Sequence, residues 1–160
     1  MAASDADPGS PSAGPWPGKA HQGSEITVYF DPKRCRHFAE CLRGLPEVFN
    51  ARQRPWIAPD AASAGLVAEV IRRCPSGALH YRAPDIPREQ PDVPTTIRPV
   101  ERGPFLVRGD LQIHTADGSV TDTRAALCRC TRSARQPFCD AACDTPGPSS
   151  LPGRPEEQKP

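Results

Sequence analysis

Apolar residues along this chain occur in short runs broken by proline and glycine. Ile26, Val28 and Phe30 alternate with Thr27 and Tyr29, which predicts a half-buried strand ended by the Asp31-Pro32 turn. A short helix is expected from Phe38 to Arg43, stopping near Gly44 and Pro46, and Pro55 and Pro59 bracket a brief extended piece at Trp56-Ile57. The most regular helix follows. Asp60 is its expected N-cap, and Leu66, Val67, Val70 and Ile71 form its apolar face. The stripe Val67, Val70, Ile71, Cys74 carries a cysteine to the buried side, and Pro75, with no N–H to donate, ends the helix. Further on the pattern becomes β-rich. Phe105-Leu106-Val107 and Leu111-Gln112-Ile113 predict two strands separated by Gly109-Asp110. Asp117-Gly118 is a hairpin turn leading into Ser119-Val120-Thr121.

Polar, proline-rich stretches separate these patterned segments. Residues 1–24 offer little to bury and predict a disordered leader, in which Trp16 is the one large apolar group. Residues 82–101 read as a linker, because five prolines between positions 82 and 99 favour extended backbone. Residues 148–160 predict a disordered tail. The chain of 160 residues contains 21 prolines and only 6% aromatic residues, which argues against one large core. Two small units are expected instead, over residues 25–81 and 102–147, and folds below roughly 70–80 residues usually need a staple.

Charge narrows the function classes. A formal net charge of +1 gives no electrostatic case for nucleic acid. Arg124, Arg129, Arg132 and Arg135 read as a solvated region balancing the charge of nearby thiolates. No stretch approaches the ~20 apolar residues of a membrane span, and the start of the chain lacks the features of a secretory signal. A cytoplasmic protein, with thiols kept reduced, is the expectation. No Ser–His–Asp grouping, phosphate-binding glycine loop or paired carboxylates are present, so the chain is not expected to be an enzyme. His80 and His114 are expected to be exposed or locally hydrogen-bonded, His21 lies in the leader, and Asp140 is expected to cap a short helix.

The candidate chemistry lies in the seven cysteines, which form two groups with none left over. Cys35, Cys41 and Cys74 make one; Cys128, Cys130, Cys139 and Cys143, spaced C-x-C-x8-C-x3-C, make the other. Thiolates gathered at short spacings suit a metal or an iron–sulfur cluster better than a disulfide framework. Four cysteines can also hold zinc tetrahedrally, although zinc sites more often pair two C-x2-4-C knuckles.

Cys35 to Cys41, then Cys74-Pro75-Ser76-Gly77-Ala78-Leu79, with Leu45-Pro46-Glu47-Val48-Phe49 and Trp56-Ile57, resembles the divergent mono-cluster 4Fe-4S ferredoxins over residues 26–81. Four-cysteine members carry another cysteine where this chain has Phe38. The resemblance implies a [3Fe-4S] cluster on three thiolates, or a [4Fe-4S] cluster whose last iron takes His37, solvent or a small thiol. Cys128-Arg129-Cys130, Ser133 and Pro137-Phe138-Cys139-Asp140 resemble the CDGSH iron–sulfur domain over residues 102–147, as do Gly103 to Val107, the Asp117-Gly118 turn and Arg124. That family holds a [2Fe-2S] cluster on three cysteines and one histidine. Here Cys143 replaces the histidine, while Thr131 and Ala141 stand where glycines are usual, so an altered loop backbone is expected.

The expected fold class is α+β, a small ferredoxin-like module followed by a small β-rich CDGSH-type module. The function implied is electron transfer between unidentified redox partner proteins. The CDGSH resemblance also implies a homodimer. Two other readings stand beside it: a redox or iron sensor or cluster-transfer protein, and a zinc-stapled interaction module.

Overall fold

The computed structural model describes residues 16–142. These form two small modules, each built on a three-stranded antiparallel sheet, with few helices. In the first, β1 (Lys19–Gln22), β2 (Thr27–Phe30) and β3 (Leu79–Arg82) lie in the order β1-β2-β3. In the second, β4 (Thr96–Pro99), β5 (Phe105–Thr115) and β6 (Gly118–Leu127) lie in the order β4-β5-β6. No helix among the described residues is long and apolar enough to cross a membrane.

Between β2 and β3 run α1 (Glu40–Gly44), a 3-10 turn (Pro59–Ala61) and α2 (Ala64–Arg72). α2 buries Val67, Ala68, Val70 and Ile71 against Val28, Val48, Phe49, Ile57 and Leu79. Each large side chain removed from water there contributes about 1.5–3 kcal/mol. Chain reversal after α2 places Cys74 just beyond the helix, its N–H donating to the Ile71 carbonyl at 3.0 Å.

Several expectations change. The leader was expected to be unstructured to residue 24, yet Lys19–Gln22 is a strand, because β2 offers it an unpaired edge and His21 pairs opposite Val28. Residues 1–15 and the expected tail lie outside the described residues. α1 starts at Glu40 rather than Phe38, because His37 and Ala39 have φ of 52° and 60°, which a right-handed helix excludes. α2 starts at Ala64 with Ser63 at the N-cap. Asp60 serves elsewhere, accepting from the N–H and Oγ of Ser24 at 2.7 and 2.9 Å. The two strands expected around Gly109-Asp110 are one strand, β5, with a bulge between Arg108 and Leu111. Gly109 has φ of 146°, and a Cβ there would come within 2.3 Å of Thr95 Oγ1. The Asp117-Gly118 hairpin turn forms where expected, with Thr115 paired to Gly118. Of the proline-rich segment, Thr96–Pro99 pairs with β5 as β4, and Asp92 forms an ion pair with Arg108 at 2.9 Å.

The modules meet along β6. Arg124, expected in a solvated region, is 0% exposed. Its Nη1 donates to the carbonyls of Ile71 and Cys74 at 2.9 and 2.6 Å, and its Nη2 to the Leu79 carbonyl at 2.9 Å. Glu89 supplies the opposing charge, each carboxylate oxygen 2.8 Å from a guanidinium nitrogen. From the other side, Arg34 donates to Asp122 Oδ2 at 2.6 Å and to the Arg124 carbonyl at 3.0 Å. Gly77 (φ 67°) makes this approach possible, since a Cβ there would lie 2.4 Å from the Arg124 carbonyl oxygen. His80 is also buried, with Nε2 3.3 Å from Asp122 Oδ2 and its ring stacked on Trp16 at 5.0 Å. It is neither exposed nor locally bonded, because β3 turns it into the junction.

Breaking such a buried pair leaves the other charge and the carbonyls unpartnered, which costs about 3–5 kcal/mol. Arg124→Met should therefore lower unfolding stability by about that amount in urea titrations, whereas a solvated arginine would change it by about 0.5 kcal/mol or less. Acid stability gives a second check. Burial alone would raise the Asp122 pKa, but His80 and Arg34 outweigh it and hold the carboxyl well below the usual carboxylate range. The unfolded chain takes up this proton near pH ~4, and the folded protein only at lower pH. The Asp122 contribution is thus fully present above pH ~4 and is lost as pH falls towards the folded value. Asp122→Asn should flatten the stability-against-pH curve below pH ~4 in acid titrations followed by circular dichroism.

Candidate metal centres

The first group of thiols comes together from three places. Cys35 follows the turn after β2, Cys41 sits in the first turn of α1, and Cys74 follows α2. All three line one small pocket of about 30 Å³, walled by Phe30, Phe38, Trp56, Ala78 and Leu79. Burial pushes the Cys35 thiol up, with Cys74 adding to the effect and a backbone hydrogen bond at His37 opposing it. Cys41 is pushed up to about 11, first by burial and then by Cys74 and Cys35. Two buried thiols that resist ionising, beside a third, suit a bound group that supplies positive charge and displaces their protons. Among the described residues, no three His, Cys, Asp or Glu side chains converge closely enough to hold a single metal ion. Three cysteine sulfurs on one pocket are a soft donor set suited to iron or zinc. Ser76 Oγ lies 3.6 Å from Cys74 Sγ, close enough to hydrogen-bond the sulfur. His37 is exposed, with Nδ1 4.0 Å from Cys35 Sγ.

The second group sits on the loop that leaves β6. Cys128 and Cys130 have sulfurs 3.8 Å apart, and Gln136 Nε2 donates to Cys128 Sγ at 3.3 Å. Backbone bonds fold the loop back on its strand. The N–H of Cys128 donates to the Pro137 carbonyl at 2.7 Å, and that of Cys139 to the Ala126 carbonyl at 2.9 Å. Cys139 is 3% exposed. Ser133 Oγ donates to the Phe138 carbonyl at 2.6 Å and accepts from the Arg135 N–H at 3.0 Å. Cys143, the remaining cysteine of this group, lies outside the described residues.

Thr131 and Ala141 keep positive φ, 63° and 72°, so the backbone that glycine would favour persists without it. The expected alteration of the loop at these positions is corrected: side chains are forced into the left-handed region, at a cost of roughly 1–2 kcal/mol each. Asp140 helps to hold that backbone, accepting from the N–H groups of Ala134 and Ala142 at 2.9 and 3.1 Å. The Ala134 bond is the main cause of a lowered Asp140 pKa. His114 is exposed and bonded to Ser119 Oγ at 2.8 Å, and His21 is buried, which lowers its pKa with help from Lys19.

Sequence reasoning missed the Arg124, Asp122, His80 and Arg34 cluster that binds the two sites' frameworks together. One signal was present. Asp122 and Arg124 occupy alternate positions of a strand next to Ala126, so charges of opposite sign share a face with a small apolar residue.

Comparisons with known proteins agree with this arrangement. Residues 21–84 match the family model for the divergent 4Fe-4S mono-cluster, and residues 102–142 match that for the iron-binding zinc finger of CDGSH type. The uncharacterised protein YjdI of Escherichia coli K12 is 44% identical over 64 residues, which is 40% of this chain and 84% of the relative. YjdI of Escherichia coli O157:H7 matches to the same extent. No solved structure matches. The chain therefore belongs to the divergent 4Fe-4S mono-cluster family through residues 21–84, joined to an iron-binding CDGSH-type unit over residues 102–142.

Proposed function

We propose that this iron–sulfur protein is an electron carrier with two centres. Cys35, Cys41 and Cys74 hold a [3Fe-4S] or [4Fe-4S] cluster, and Cys128, Cys130, Cys139 and Cys143 hold a [2Fe-2S] cluster. The observation that carries the reading is the pocket in which the sulfurs of Cys35, Cys41 and Cys74 meet apolar walls. When bound, the clusters supply one-electron redox chemistry. The chain's part is to bury the sulfurs, to direct Ser76 and Gln136 towards Cys74 and Cys128, and to hold both loops rigid. In this reading the protein is not an enzyme. It works in the cytoplasm and exchanges electrons with other redox proteins.

A second reading, a sensor that gives up a cluster on oxidation, draws support from the exposed His37 beside Cys35 and from the partly exposed Cys35, Cys41 and Cys74. Oxidant can reach a centre built this way.

Anaerobic purification with iron, sulfide and zinc analysis tests both. The electron-carrier reading expects about five or six irons per chain with matching sulfide, and two signals in electron paramagnetic resonance that dithionite and air interconvert reversibly. Irreversible loss of one signal on oxidation would favour the sensor. Zinc without sulfide in the second site would overturn its [2Fe-2S] assignment. Cys143→Ser should change the second signal and leave the first intact, and an unchanged spectrum would remove Cys143 from the ligand set.

The second centre's potential should also be nearly independent of pH between about 6 and 8, because thiolates replace the family's protonatable histidine. Residues 128–142 contain no histidine. A slope near ~59 mV per pH unit in a redox titration would show that one proton still accompanies each electron.

A further inference from the structure

β6 bonds to the backbone at a cysteine of each group. Arg124 on this strand reaches the Cys74 carbonyl at 2.6 Å, at the edge of the first site. Ala126, on the same face by alternation, accepts the N–H of Cys139 at 2.9 Å in the second. Leu106, Ala126 and Cys139 make one buried apolar cluster, and Phe38 packs against it. Phe38 also lines the pocket bounded by Cys35, Cys41 and Cys74. One side chain thus lines the first pocket and packs against the apolar cluster that contains Cys139 of the second group.

We propose that Phe38 is the junction through which the two sites exchange an electron. The proposal rests on both sites holding redox-active clusters. In the exchange, one electron leaves the reduced site and one arrives at the oxidised site; no covalent bond forms or breaks, and no proton moves. The first electron comes from an external one-electron donor. Close packing matters here because a gap between the sites would remove the atoms that carry electronic coupling, and protein interiors leave few such gaps. The geometry is also held rigidly. Arg124 and the Arg34–Asp122 pair clamp the modules, Arg135 Nη1 donates to the Lys33 carbonyl at 2.9 Å, and the Arg34 guanidinium lies 4.7 Å from the centre of the Phe138 ring. The Phe38 carbonyl is itself fixed by Arg43 Nη2 at 2.7 Å.

The test uses the full chain carrying both clusters, reduced by a flash-generated flavin radical and followed optically. The wild type is expected to show a fast phase that depends on radical concentration, then a slower phase that does not, the latter being exchange between sites. Phe38→Tyr, which keeps the ring, should leave that second phase near the wild-type rate. Phe38→Ala leaves a void that its surroundings refill only in part, and should slow it roughly tenfold. Because Phe38 walls the first pocket, its replacement shifts that centre's midpoint potential, so both potentials are measured in each variant and rates are compared after correction for the change in driving force. If Phe38→Ala fails to retain both clusters, Phe38→Leu replaces it and should be slower than Phe38→Tyr. Equal rates in Phe38→Leu and Phe38→Tyr would overturn the proposal. So would a Phe38→Ala protein that melts at lower temperature yet exchanges at the wild-type rate, since that is a packing role alone. Failure of the underlying reading is separate: neither centre of the wild type would give a signal that cycles with dithionite. Two cycling centres without a concentration-independent phase would overturn this proposal and leave that reading intact.

Discussion

Arg124 carries a full positive charge into a place where none of its surface meets water, and so it dictates what must surround it. A buried guanidinium is tolerable only when its donors are satisfied and its charge is opposed. The carbonyls of Ile71, Cys74 and Leu79 take the hydrogen bonds, and Glu89 takes the charge. Those partners come from the end of α2, the turn that bears a cysteine, the start of β3 and the proline-rich segment. One side chain of the second module therefore fixes the local shape of the first at the point where a thiol is presented. Arg34 returns the interaction from the first module to Asp122. Reciprocal charge pairs of this kind specify one docking geometry, because any other would strand a charge.

The same rigidity explains how small modules with thin cores present ordered ligands. The apolar cluster of β5 and β6 is little more than Val107, Leu111, Ile113 and Ala125, with Leu127 and Phe138 against it. Such a core does not position a loop by burial alone. The loop after β6 is held instead by backbone bonds at Cys128 and Cys139, by the Ser133 hydroxyl and by the Asp140 carboxylate. These contacts impose positive φ on Thr131 and Ala141, where side chains oppose it. In the first module the order is reversed. A well-packed core holds α2 firmly, and the thiols of Cys35 and Cys41 are buried enough to resist ionisation.

Much of the local structure was legible. The apolar stripe of α2, the alternation in β2 and the Asp117-Gly118 turn are short-range patterns, and the chain follows them. Boundaries moved where a distant partner intervened. β1 formed because β2 had a free edge, and Asp60 left its expected capping role because Ser24 lay within reach. Arg124 and His80 were read as solvated or local, since beyond the shared face of Asp122, Arg124 and Ala126 the strand pattern does not say what packs over it.

The sequence by itself determined that the cysteines fall into two groups, one of three and one of four spaced C-x-C-x8-C-x3-C. Cysteine spacing is a local property, set by a few intervening residues, so it can be read directly. Only the tertiary structure decided that Phe38 lines the first pocket while packing against the cluster of Cys139, and that β6 bonds to the backbone at Cys74 and Cys139. Those facts depend on hydrogen bonds such as that from Arg124 to Ile71, whose partners are 53 residues apart in the chain. A local pattern cannot encode such a meeting, because it arises from satisfying buried charge across two modules at once.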